Sequence, residues 1–323
     1  MVDPYKSIHL IARELEARGF NAKPLSKDGK KYLEFTKGDI RWRSRTAYVD
    51  YPFVMQSLKL LSTHKDRAYD YVAEHGVAIA KTITVTSSSQ IVWEDVSTIS
   101  PLIVKPVDRG GSKGLTRNVT SNDELQTAIQ NALTFSSQVL VQQQFEGQEL
   151  RFTCINGRVQ SAVLRSPASI KGDGKRSVEQ LLKAENEART KLNALLEYIQ
   201  YPMLEGNLIT RPLNLHDIVQ QELVVQVAES TMISGGASVF DVLSDVDQSY
   251  LDIVENLVRS LDAQFLVVDI LIADITKPAN NENYIFLEFN TAPALKLYYG
   301  VRDGEQFDIV PLVTDMIVQR LQA

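Results

Sequence analysis

A chain of 323 residues, 44% of them hydrophobic, can bury a sizeable core and build two or three lobes. Its net charge of −6 gives no bulk attraction for nucleic acid. The single cysteine, Cys154, excludes an internal disulfide. No apolar run approaches a membrane span and the opening MVDPYKSIHL lacks a signal-peptide pattern, so the expectation is a cytoplasmic globular protein without nucleic-acid or membrane partners.

Residues 4 to 19 read as an amphipathic helix closed by Gly19, with Ile8, Ile11, Ala12 and Leu15 on one side. Short strands follow at Asn21–Pro24, Lys31–Thr36 and Ile40–Arg43, with a turn at Asp28-Gly29. Arg41, Arg43 and Arg45 recur at alternate positions, a solvated basic face or a contact for an anionic substrate. From Pro52 to His75 the pattern is helical with a break near Ser62-Thr63-His64, and Val77–Val85 is strand-like. Strand Pro101–Pro106 carries one charge, Lys105, and runs into Val107-Asp108-Arg109-Gly110-Gly111-Ser112-Lys113-Gly114. A glycine-rich basic loop after a strand suits phosphate, because glycine lets backbone N–H groups approach while the cations balance charge.

Ser121 or Asn122 caps a helix ending at Leu133. Strand Gln138–Gln143 leads through Gln144–Glu149 into a strand pair, Leu150–Ile155 and Val159–Leu164, turned at Asn156-Gly157. The segment Arg165–Lys175 reads as a polar loop, either one that closes over a ligand or a plain surface connection. A helix is expected from Ser177 to Tyr198, a strand at Leu223–Gln226, a small-residue loop at Ser234–Ser238, and helices at Ser249–Leu261 and Ile309–Leu321.

The most informative stretch is Gln264–Ala292, two strand-like runs joined by a polar loop. Alternation places Phe265, Val267, Asp269, Leu271 and Ala273 on one face of the first strand. Tyr284, Phe286, Glu288 and Asn290 share a face of the second. Pairing Ala273 with Tyr284 sets Asp269 opposite Glu288, with Asn290 one step further. Two carboxylates brought together need neutralisation, and a hard cation such as Mg²⁺ supplies it through oxygen ligands. The alternative is that each acid meets an Arg or Lys. Scattered histidines and the absence of GxxxxGK[ST], G-x-S-x-G and G-x-G-x-x-G patterns leave P-loop, hydrolase and dinucleotide readings without support.

A lysine ending a strand before a Gly-rich basic loop, the run Gly147-x-Glu149-x-Arg151, Arg165-x-Pro167-Ala168, Gly172–Lys175, Ser234-Gly235-Gly236 and a D…E-x-N hairpin occur in that order. Together they resemble the ATP-grasp superfamily of carboxylate–amine ligases, especially the ATP-grasp domains of cyanophycin synthetase and of bifunctional glutathione synthetases. The resemblance covers about residues 55 to 320. It implies an α/β (α+β) ATP-grasp fold, two α+β lobes gripping ATP with a small amino-terminal α/β lobe. The divisions would be 1–60 for that lobe, 61–143 for the small lid subdomain, and 144–323 for the large subdomain with the metal site.

The same resemblance implies phosphate contacts from Lys65 and Lys105 and a lid at Gly110, Gly111, Ser112, Lys113 and Gly114. It implies adenine contacts at Gln142, Gln143 and Phe145, and ribose contact at Glu149. Asp269, Glu288 and Asn290 would hold Mg²⁺, two ions that Mn²⁺ can replace. Arg151 and Arg165 would join Lys105 in holding phosphate or acyl-phosphate, while Ser234, Gly235, Gly236 and Lys296 would face substrate. Arg302, Tyr298 and Tyr299 are further acceptor-pocket candidates. Two departures stand out: Gln142 replaces the family's frequent glutamate, and Val267 occupies the place of an arginine found in D-alanine–D-alanine ligases.

The implied reaction is ATP-dependent amide formation through an acyl-phosphate, with ADP and phosphate released, acting on amino acid or small peptide substrates. A small-molecule kinase and an inactive nucleotide-binding regulator are the alternatives, and a homodimer is compatible with the resemblance.

Overall fold

The computed structural model describes residues 6–86, 91–110, 113–192, 199, 213–228, 231 and 233–323. In chain order, α1 (Ser7–Ala17) precedes β1 (Asn21–Lys27), β2 (Lys30–Lys37) and β3 (Ile40–Arg45). Helices α2 (Gln56–Thr63) and α3 (Lys65–Glu74) follow, then β4 (Thr82–Thr86), the short α4 (Trp93–Val96), β5 (Leu102–Pro106) and β6 (Thr116–Val119). Next come α5 (Asn122–Leu133), β7 (Gln138–Gln143), β8 (Gln148–Ile155), β9 (Arg158–Ser166), β10 (Ser169–Lys171) and α6 (Val178–Leu192). The chain closes with β11 (Val224–Gln226), β12 (Ser238–Asp241), α7 (Gln248–Ser260), β13 (Phe265–Ile272), β14 (Tyr284–Asn290), β15 (Val301–Asp303) and α8 (Ile309–Gln322). This is a mixed α/β fold.

The chain divides into two compact units. One comprises residues 55–162 and 244–291. It contains an antiparallel sheet in the order β4-β7-β5-β6, covered by α5. Leu102, Val104, Leu125, Ala132, Val139 and Val141 form its dry core. Ser121 caps α5 by accepting from the Glu124 backbone N–H, as its residue type predicts. The same unit holds β14, β13 and β8 side by side, all antiparallel. The run FLVVDILI of β13 is buried almost throughout rather than alternating with solvent, so both faces of this central strand are covered.

The other unit comprises residues 1–54, 163–243 and 292–323. The β1-β2-β3 sheet turns at Asp28-Gly29, both at positive φ, which suits a two-residue hairpin turn. Helices α1 and α8 pack together. In the same unit β12 runs antiparallel to the end of β9 and parallel to β15. Its α6 shares a core with β10 and β11 through Ala168, Ile170, Val178, Leu182 and Val225.

Two expectations need correction. The segment from Arg165 to Lys175 is not a polar loop: Ser169–Lys171 pairs with Val224–Gln226, and Ala168 and Ile170 are buried. Strand β4 is shorter than expected, beginning at Thr82. The helix expected to reach Tyr198 is described to Leu192, and 193–198 lie outside the described residues.

Candidate active site

The register of β13 against β14 sets Asp269 directly opposite Glu288 and Val267 opposite Asn290. It then shifts: Ile270 pairs with Phe286 and Ile272 with Tyr284, leaving Leu287 as the extra residue of a β-bulge. Tyr284 therefore does not pair with Ala273 as expected, and Phe286 leaves the face of Glu288. Phe286 instead packs against Phe289 with tilted rings, centroids 4.7 Å apart, and meets Tyr69 edge-on at 6.0 Å. The bulge keeps the acids together while handing the aromatic residues to the apolar side.

Each acid is met by a cation. On the far side of β13, β8 pairs Arg151 with Asp269. Arg151 Nε donates to Asp269 Oδ1 at 2.8 Å and Nη2 to Oδ2 at 2.6 Å, with the two side chains 7% and 0% exposed. A buried carboxylate requires such a partner, and the fork geometry of a guanidinium matches both oxygens. The expected phosphate ligand Arg151 is thus occupied by the expected metal ligand. Glu288 meets Lys65, Oε2 to Nζ 3.6 Å, and the same ammonium donates to the Arg109 carbonyl at 2.8 Å. Lys65 opens α3, so one side chain joins that helix, the acidic hairpin and the start of the glycine-rich loop.

Lys105, on β5, donates to the Tyr69 hydroxyl at 2.8 Å and lies 5.5 Å over its ring. Tyr69 in turn donates to the carbonyl of the bulge residue Leu287 at 3.2 Å. Tyr69 was not among the expected site residues. Its spacing of four from Lys65 on one helix face was the signal available in the sequence.

In the expected adenine region, Gln142 is buried and donates from Nε2 to Thr82 Oγ1 at 2.6 Å, so its amide oxygen is what it has to offer a ligand. Gln143 is exposed, and Phe145 and Glu149 are half-buried. Gly147 is required by packing, since a Cβ would lie 2.9 Å from the Ile272 carbonyl oxygen. In the expected lid, Lys113 is exposed and nothing lies within 4 Å of a Cβ placed at Gly110. Gly114 has φ +70° and its Cβ would meet the Phe135 ring at 2.6 Å. Gly111 and Ser112 lie outside the described residues.

The remaining expected residues belong to the other unit. Arg165 pairs with Val239 between β9 and β12. Ser234 and Gly235 lie in a single 3-10 turn, Ile233–Gly235. Gly236 follows at φ +85°, close against Ile199. Lys296 is half-buried in a turn after β14, Leu295–Tyr298.

Among the described residues no three His, Cys, Asp or Glu side chains form a metal cluster. The set Asp269, Glu288 and Asn290 supplies two carboxylates and an amide oxygen, the donor types a hard cation takes. Glu288, with its side chain 34% exposed, and the half-buried Asn290 form the open side of that set.

The chain is similar in sequence and fold to several known proteins. Residues 65–201 match the sequence family described as D-ala D-ala ligase C-terminus. The glutathione biosynthesis bifunctional protein GshAB of Listeria innocua is 24% identical over 325 residues, spanning 97% of this chain and 41% of that protein. Cyanophycin synthetase of Crocosphaera subtropica is 26% identical over 223 residues, 67% of this chain and 26% of that protein. The crystal structure of a bifunctional glutathione synthetase from Pasteurella multocida superposes with a TM-score of 0.68 at 19% identity, over 98% of this chain and 45% of that one.

The chain is similar over residues 65–201 to that ligase family and has the fold of that glutathione synthetase structure. The chain spans less than half the length of these relatives. No described helix is long and apolar enough to cross a membrane.

Proposed function

We propose that the chain is an ATP-dependent, ADP-forming ligase joining the carboxylate of an amino acid or small peptide to an amine. The observation that carries this reading is the convergence of Asp269, Glu288 and Lys65 beside the Arg109 carbonyl of the glycine-rich loop. Its modules are the amino-terminal lobe 1–60, the lid subdomain 61–143 and the large subdomain 144–323.

Lys65 and Lys105 hold the ATP phosphates, with Gly110–Gly114 folded over them to exclude water. Gln142, Gln143 and Phe145 take the adenine, and Glu149 takes the ribose hydroxyls. Asp269, Glu288 and Asn290 would hold Mg²⁺, two ions that Mn²⁺ can replace, which would supply charge neutralisation for phosphoryl transfer. The substrate carboxylate oxygen attacks the γ-phosphorus and the bond to ADP breaks, giving an acyl-phosphate. The amine nitrogen then attacks the acyl carbon, phosphate leaves, and the nitrogen loses a proton. Arg165 steadies the acyl-phosphate, Arg151 holds Asp269 in position, and Ser234–Gly236 with Lys296 face the substrates. The protein acts in the cytoplasm, and a homodimer is compatible with the family.

The test is ADP and phosphate release from Mg·ATP across pairs of amino acids and dipeptides, with Glu288→Gln run in parallel. Turnover requiring both an acid and an amine, and abolished in the variant, supports the ligase. Turnover with a hydroxyl compound alone would reassign the chain as a kinase, and failure to bind Mg·ATP would remove the reading.

A further inference from the structure

The β1-β2-β3 sheet segregates its side chains by charge. Leu33, Phe35, Trp42 and Ser44 are buried on one face, so alternation turns Arg41, Arg43 and Arg45 to the other. The register aligns Lys23, Glu34 and Arg43 in one row, and Lys27 faces Lys30 at the turn. Six cations thereby share a face with Glu34, and one further carboxylate, Asp50, reaches Arg45 from beyond the sheet. The hydrogen bond from Arg43 holds that carboxyl below its usual range, and Arg41 and Lys23 add to the effect.

Residues 1–54 contain eleven Lys and Arg against seven Asp and Glu, a net +4 in a chain of net −6, so residues 55–323 carry −10. Like charges facing each other across a sheet are destabilising, and an ordinary solvated face intersperses both signs. This face does not.

We propose that this face docks an extended acidic peptide segment bearing carboxylates at alternate residues. Arg41, Arg43 and Arg45 repeat about every 7 Å, the spacing of alternate side chains in an extended peptide. Guanidinium groups recognise carboxylates in paired, planar geometry. The existing partners are weak competitors. Arg43 meets Glu34 at 2.9 Å and Arg45 meets Asp50 at 3.7 Å, both arginine side chains being a third or more exposed.

A nucleic acid fits less well. Tyr48, 44% exposed, already has the Arg45 guanidinium 5.0 Å from its ring centroid and so offers that face to no base. The net −10 of residues 55–323 also repels a long polyanion, whereas a short peptide is confined to the basic face. The surface lies outside residues 65–201 and stands independently of the ligase reading.

Fluorescence anisotropy of fluorescein-labelled deca-glutamate with the full chain tests the proposal. Saturable binding that weakens severalfold between about 50 and about 200 mM salt is expected. Arg41→Glu/Arg43→Glu should lower affinity about tenfold or more, and Arg41→Gln/Arg43→Gln by a smaller factor. Lys183→Glu/Lys277→Glu, an equal charge change at exposed positions elsewhere, should leave affinity near that of the unmodified chain. Circular dichroism checks that each variant is folded. The proposal is overturned by absence of binding, by equal losses in the two Glu double variants, or by tighter binding of a labelled ten-nucleotide single strand.

Discussion

Lys65 Nζ lies 3.6 Å from Glu288 Oε2 and simultaneously donates to the Arg109 carbonyl. One ammonium thus balances the Glu288 carboxylate, the proposed metal ligand, and ties it to the start of the glycine-rich loop. Because Glu288 is partly exposed, removing the pair changes stability little, by about 0–1 kcal/mol. Lys65→Met should therefore melt near the parent temperature while ADP release falls by about 10²- to 10³-fold. A large drop in melting temperature with retained turnover would assign Lys65 a structural role instead.

Arg151 and Asp269 form the opposite case, because both are buried. Arg151→Met leaves the Asp269 carboxylate without its fork and should destabilise by about 3–5 kcal/mol in urea unfolding. The double variant Arg151→Met/Asp269→Leu should recover most of that loss, since the stranded charge is gone. A double variant no more stable than the single one would show that the pair contributes through something other than charge compensation.

Tyr69→Phe removes the hydroxyl that receives Lys105 and reaches the Leu287 carbonyl. Two net hydrogen bonds predict a loss of about 1–3 kcal/mol. Loss of a hydroxyl that positions Lys105 also raises KM for ATP, and steady-state kinetics with ATP varied separates this from the stability effect.

The glycines of the lid should behave differently from one another. Gly114→Ala drives a Cβ against the Phe135 ring in a left-handed backbone conformation and should destabilise by about 1–3 kcal/mol. Gly110→Ala meets nothing within 4 Å and should leave the melting temperature unchanged. Differential scanning fluorimetry of the two variants checks the contrast.

Asp173 has its carboxyl held at about 2 by the backbone N–H of Arg176 first, then by the Arg176 side chain and the Lys175 N–H. A lowered folded-state pKa stabilises the turn above the ordinary carboxylate range, and that contribution is lost as pH falls toward 2. Carbon-detected NMR titration should place Asp173 near 2; titration close to 4 would mean that these contacts do not persist in solution.

Much was legible before folding. The helices α1, α3, α5, α7 and α8 follow from 3.6-residue periodicity and flanking Gly or Ser residues, while the Asp269–Glu288 pairing was reached from an Ala273–Tyr284 register and holds only because the bulge at Leu287 restores it. Local rules suffice for the helices because each element's own side chains carry the signal. The Leu287 bulge was not legible, because an extra residue in a strand is chosen by what packs on either side. Here the Phe286–Phe289 contact and the Tyr69 hydrogen bond favour it. Nor was the strand at Ser169–Lys171, whose three residues gain strand geometry only by pairing with Val224–Gln226, more than fifty positions away.

The sequence alone determined which residue types are present for phosphate, metal and acyl chemistry, and in what order they occur along the chain. Only the tertiary structure decided that Arg151 serves Asp269, that Lys65 serves Glu288, and that six cations gather on one sheet face. Those outcomes depend on strand register and on desolvation. A buried charge must take whichever partner the neighbouring strand brings within reach.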